Sequence, residues 1–213
     1  DWPSIAGLMK VSENISKLNV QRFTDWCQPF DIQNAKQAVF AFNGDVYNGI
    51  AVETMKVKQL RYIQTNLRIL SGLYGLLRPM DLIQAYRLEM GIKLVNPKGK
   101  NLYEFWKKDL TKNLNNTLKE HRNPTIVNCA SVEYFSAIDL KDFEGKILSI
   151  VFKEYRNDEL KFISFNAKKA RGLMTQYIMK NEIDTNNNIK DFNYEDYNFY
   201  SKLSDESTFV FTR

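Results

Sequence analysis

The sequence predicts a mixed α/β fold, a sheet with flanking helices in one compact domain over residues 1–213. Three observations carry this expectation. Apolar residues recur at helical spacing in residues 4–26 and again in 102–118. Short apolar runs of strand type stand at 67–71, 125–128 and 209–212. The two kinds of segment alternate along the chain. With 44% hydrophobic and 26% charged residues, the composition is that of a globular protein able to bury a sizeable core.

Within residues 4–26, Ile5, Leu8 and Met9, then Ile15 and Leu18, then Val20, Phe23 and Trp26 mark two or three short helices. Ser12 and Asn19 are N-cap residues that restart the helix. Residues 35–42 become strand-like toward their end, and 43–49, with Asn43, Gly44, Asp45 and Gly49, read as a turn. Residues 56–66 form an exposed helix. The apolar run 67–71 is a buried strand ending on Gly72 and Gly75. Arg78 and Pro79 break the chain before 86–90, where alternation sets Arg87 and Glu89 on one face of a second strand. Leu102, Phe105, Trp106, Leu110, Leu114 and Leu118 share a face of one amphipathic helix. Strand 125–128 leads past Ser131 into a helix through Ile138, and 146–155 with 160–165 form a hairpin about Asn157 and Asp158. Asn166 caps a helix through Met179, and 209–212 close the chain as a strand.

Composition excludes several classes of function. There are two cysteines, Cys27 and Cys129, and one histidine, His121, in a polar stretch that reads as a surface turn. That count predicts a reducing, cytoplasmic setting, no transition-metal centre and no cofactor site of the His/Cys kind. No apolar run reaches the roughly 20 residues of a membrane helix. Thirty Lys and Arg against 25 Asp and Glu give a net charge of +5, compatible with a nucleic-acid partner without requiring one.

Position is more informative than total charge. Lys168, Lys169 and Arg171 fall in the first turn of the helix expected from Asn166, where free N–H groups and the helix dipole are already positive; an anion resolves that conflict. Gly72 and Gly75, just past a strand, permit close backbone approach to a ligand, with Arg78 aimed by the proline after it. Arg87 and Glu89, flanked by Leu88 and Met90, are expected to be largely buried and to meet Lys168 or Arg171 around one pocket. Asn43 with Asp45, and Asn128 with Ser131 and Glu133, place small polar groups where apolar runs end.

Taken together, residues 42–47, 67–82, 86–91, 101–106 and 163–174, in that order and continuing to 209–213, resemble the YaaA peroxide-stress family. The resemblance implies a bacterial cytoplasmic protein protecting against hydrogen peroxide, with DNA binding as its molecular activity and a basic cleft in a compact α/β fold. Family members begin on a strand carrying Ser-Pro-Ala-Lys, which is not in this chain. A strand is therefore expected to be missing from the sheet, leaving an open edge beside 67–71 or 125–128. The family's early helices are similar to a helix-hairpin-helix; residues 12–23 match that stretch without its hairpin glycine, and Lys17 and Arg22 would touch phosphate there.

Two functions follow. In the first, the chain binds the DNA backbone with weak sequence specificity through Lys168, Lys169, Arg171, Arg78, Arg87, Lys17 and Arg22, and Tyr74, Tyr86 or Tyr134 stack on an exposed base. In the second, Arg78, Arg87, Glu89 and Lys168 line the pocket of an enzyme acting on a nucleotide or a damaged base, with Glu89, Glu133, Tyr74 and Asp45 as catalytic candidates.

Overall fold

In the computed structural model, which describes residues 1–213, the elements run in chain order as α1 (Trp2–Met9), α2 (Glu13–Asp25), β1 (Lys36–Gln37), α3 (Ala38–Ala41), α4 (Asp45–Ile50), α5 (Val57–Asn66), β2 (Ile69–Ser71), β3 (Gly75–Leu77) and β4 (Leu82–Ile83). Then come α6 (Leu102–Leu118), β5 (Thr125–Asn128), α7 (Val132–Phe135), β6 (Lys146–Arg156), β7 (Glu159–Lys161), α8 (Ser164–Lys180), β8 (Asn198–Phe199) and β9 (Thr208–Thr212), with short 3-10 turns between. The class is α/β with parallel and antiparallel pairing, as the alternating pattern predicts. No helix is long and apolar enough to cross a membrane.

The chain gathers into two compact units, each assembled from three stretches. The first takes 1–41, 67–114 and 131–143. Its core joins Met9, Leu88, Met90, Ile92, Leu102, Leu110 and Ala137, with Trp106, Tyr86 and Tyr134 packed around it. Two small antiparallel ribbons, β1 with β4 and β2 with β3, lie in this unit.

The second unit takes 42–66, 115–130 and 144–213 and holds the main sheet. Its strand order is β5-β6-β9-β8, with β7 folded back on the end of β6. β5 and β9 flank β6 in parallel, and β8 closes the other side antiparallel to β9. Along β6 the apolar positions Leu148, Ile150 and Phe152 are buried, as a two-residue period requires, and Phe152 meets Phe192, Tyr197 and Phe211 ring against ring. β5 has β6 as its single neighbour and stands at one edge of the sheet, as the terminal strand of an open sheet does.

Several local expectations are corrected. Residues 38–41 are helical, leaving a two-residue β1, and 45–50 form α4 in place of a turn. The strand at 69–71 is half of a local ribbon, and 86–90 pair with no strand. Gly72 and Gly75 answer to internal packing. A Cβ on Gly72 would stand 2.3 Å from the Leu88 carbonyl oxygen, and one on Gly75, whose φ is +77°, would stand 2.6 Å from the Trp106 ring. Trp106 seals the contact by donating from Nε1 to the Gly72 carbonyl at 2.8 Å. These glycines admit a neighbouring element of the protein itself.

Candidate functional site

The start of α8 differs from expectation by three residues. Ile163 is the N-cap and Ser164 the first helical residue, so Lys168, Lys169 and Arg171 stand beyond the first turn. Asn166 does not cap the helix; its side chain hydrogen-bonds Glu154. The dipole conflict read from the sequence is thereby relaxed, since the effect fades beyond the terminal turn. The three cations then separate by their partners.

Lys169 is neutralised by an ion pair with Glu195. Lys168 is exposed and makes no ion pair. Arg171 is half-buried with no carboxylate beside it; its one hydrogen bond runs from Nε to the Ala167 carbonyl at 3.2 Å. Burial lowers its pKa below the usual guanidinium value, and only Cys129 pulls the other way. A guanidinium has five donors, and a partly desolvated one is stable when an anion answers it. Burial also pushes the Cys129 thiol up to about 11, against a Thr175 hydrogen bond and the Arg171 charge, so the sulfur stays protonated at neutral pH.

The α8 segment is held from two sides. Against α4 the backbones touch: a Cβ on Gly172 would lie 2.1 Å from the Val46 carbonyl oxygen and 2.9 Å from the Gly49 Cα. This contact brings together the two motifs read separately in the sequence, 43–49 and 166–174. Asp45 sits in the first turn of α4, and Asn43 is exposed before it. On the other side stands Glu154, whose side chain is 4% exposed on the inward face of β6. Its carboxylate accepts from Tyr197 Oη at 2.7 Å, Arg213 at 3.0 Å and Arg156 at 2.9 Å. Burial alone would raise its pKa; the bonds from Tyr197 and Asn166 and the charge of Arg213 outweigh it, and the carboxyl lies below the usual glutamate range. This network was missed, although one signal was present: Glu154 continues the inward series Leu148, Ile150, Phe152.

In the first unit the expected burial of Arg87 and Glu89 is overturned. They pair at 2.6 Å with each side chain 43% exposed, on a segment with no strand partner to draw it inward. Arg78 pairs with Asp81 at 3.3 Å and is largely exposed. Lys17 pairs with Glu13 at 2.5 Å and lies over the Trp2 ring, while Arg22, in the last turn of α2, makes no ion pair. Glu133 accepts the Gly91 N–H at 2.9 Å. Of the tyrosines, Tyr74 is held by Trp26 and Gln84, and Tyr86 bonds the buried Ser71 at 2.5 Å. Tyr134 is pushed up to about 12 by burial, then by Glu133 and Glu89. None of the three offers an open ring face in the way an exposed stacking residue would.

Residues 1–203 match the family model described as peroxide stress protein YaaA. The chain belongs to this family. Among its relatives are proteins named UPF0246 from Psychromonas ingrahamii, 50% identical over 209 residues, and Neisseria meningitidis serogroup B, 51% identical over 209 residues; in both, 98% of this chain and 81% of the relative are aligned. A third, from Pseudoalteromonas translucida, is 51% identical over 200 residues, covering 94% of this chain and 77% of its own. The α8 cations, the α4 contact and the Glu154 network all lie within the stretch matched to the YaaA family, except for Arg213.

Proposed function

We propose that this YaaA-family chain is a cytoplasmic DNA-binding protein of peroxide defence that holds the phosphate backbone with little reading of sequence. The observation that carries the reading is Arg171, a half-buried guanidinium with one carbonyl partner and no carboxylate, one helical turn from the unpaired Lys168. Positions three apart on a helix share a face, so the two cations address one anion path. Lys169 contributes less because Glu195 already answers it.

The test is the salt dependence of duplex binding. Each neutralised phosphate contributes about 0.9 to the slope of log affinity against log salt. K168A/R171A should weaken binding for every duplex sequence and flatten the slope by about 2. Unchanged affinity and slope would remove the proposed site.

A further inference from the structure

Within the second unit a cleft of about 540 Å³ opens among residues 186–209, between the 3-10 turn Asn186–Asp191 and the loop that leads into β9. Its size falls in the range of small-molecule sites, roughly 300–1,000 Å³. Phe199 of β8 and Phe209 of β9 form its apolar part, edge to face with centroids 5.3 Å apart. Lys190 lies over both rings, its Nζ 5.4 Å from the centroid of Phe199 and 5.1 Å from that of Phe209. The same ammonium donates to Asn187 Oδ1 at 3.2 Å.

Asp205 and Glu206 line the same cleft, yet neither pairs with Lys190 or with any other cation. A lysine stem is long and flexible, and beside two carboxylates it would ordinarily turn to one of them. Here the two rings and Asn187 hold it in place, with two of its three donors left over. Asp205 is fixed as firmly: its Oδ1 accepts from the Ser207 and Thr208 N–H groups and from the Ser207 hydroxyl, each at 2.8 Å, and Oδ2 is left over. Opposite charges fixed around one cleft without meeting suit a ligand that carries both. A nucleotide would set its phosphate against two carboxylates, and a polyamine would set an ammonium against Lys190. A zwitterion with an apolar body answers all three groups and covers the exposed edge of the Phe199 ring.

We propose that this cleft binds a small zwitterion with an apolar side chain, an α-amino acid or a dipeptide, its carboxylate against Lys190 and its ammonium against Asp205 and Glu206. The site shares no residue with the α8 cations and stands independently of the DNA-binding reading.

The experiment measures binding to the full chain, by ligand-observed NMR titration, of L-phenylalanine and glycyl-L-phenylalanine beside two analogues that each keep one charge, hydrocinnamate and phenethylamine. The zwitterion whose length spans the charges should bind, and each analogue should bind roughly tenfold more weakly. K190M should cost that zwitterion roughly tenfold and leave phenethylamine no weaker. D205N/E206Q should give the mirror image, costing the zwitterion a similar factor and leaving hydrocinnamate no weaker. The asparagine keeps the oxygen that accepts from Ser207 and Thr208, so the loop retains its bonds. Analogues that bind as well as the zwitterions, or no saturable binding of either zwitterion at millimolar concentrations, overturn the proposal. If K190M weakens binding and D205N/E206Q does not, the cleft holds a simple anion and the proposal is wrong. Tighter binding of AMP or of spermidine than of both zwitterions also overturns it, in favour of a nucleotide or a polyamine.

Discussion

Glu154→Gln isolates the network that holds the start of α8. The substitution keeps shape and removes charge from a side chain that is 4% exposed and bonded to Tyr197, Arg213 and Arg156. Breaking a buried charge pair costs about 3–5 kcal/mol because the remaining charge is left uncompensated. The lower end applies: Arg156 is 58% exposed and turns to water, and an amide oxygen still accepts from Tyr197. The expected loss is therefore about 3 kcal/mol at neutral pH, a fall in Tm of roughly 6–12 °C for a chain of this size. Acid should erase the difference. A carboxyl whose folded pKa is depressed contributes stability that is fully present above its unfolded value, near 4.5, and is lost as pH falls through the lower folded value. Urea unfolding followed by tryptophan fluorescence at a series of pH values measures both effects. A variant as stable as wild type at neutral pH, or a gap that widens below pH 4.5, would refute the argument.

Other outcomes follow from single contacts. G172A places a methyl group against the Val46 carbonyl oxygen at 2.1 Å, so α4 must shift; a loss of about 1–3 kcal/mol is expected in urea unfolding, and an unchanged midpoint would deny the backbone contact. Cys27 is exposed, while the Cys129 thiol is pushed up to about 11, so brief alkylation at neutral pH followed by mass spectrometry should label Cys27 first; equal rates would contradict the buried, protonated sulfur. E195Q frees Lys169 from its partner and should strengthen duplex binding, steepening the salt slope by about 1, the opposite sign to K168A/R171A; weaker or unchanged binding would show that Lys169 does not reach phosphate.

Long periodic elements were legible in the sequence. α6, β6 and β9 stand where the pattern puts them, because a run of several turns or alternations averages out local ambiguity, whereas the hairpin's return strand, expected over 160–165, is the three-residue β7, and 164–165 already belong to α8. The hairpin turn was legible for a chemical reason as well, since Asn157 and Asp158 adopt φ of 53° and 63°, a region those residues tolerate. Short elements were not. Ala38 to Ala41 looks like strand because Val39 and Phe40 favour sheets, yet it forms one helical turn. Residues 45–50 look like a turn because of Asn and Gly, but Gly49 is there so that α4 can lie against Gly172, 123 positions later in the sequence. At 86–90 the alternation is correct, with Leu88 and Met90 buried and Arg87 exposed, but no strand lies alongside. Alternation reports which side a residue faces and says nothing of what pairs with it.

The same distinction governs the site. The pairs Arg78 with Asp81 and Arg87 with Glu89 join residues three and two positions apart, so the sequence contains the information that those charges answer each other. Reading them as buried gave too much weight to flanking apolar residues and too little to the nearness of the partner. Lys169 is the reverse case. Its partner Glu195 lies 26 positions away, and Arg213 meets Glu154 across 59, so nothing local distinguishes Lys169 from Lys168 or Arg171. A cluster of three cations in the sequence is, in the folded chain, one structural ion pair, one ammonium without an ion pair and one guanidinium bonded to a backbone carbonyl. Charge density along a helix marks where cations gather; the long-range pairs decide which of those charges are left for a partner.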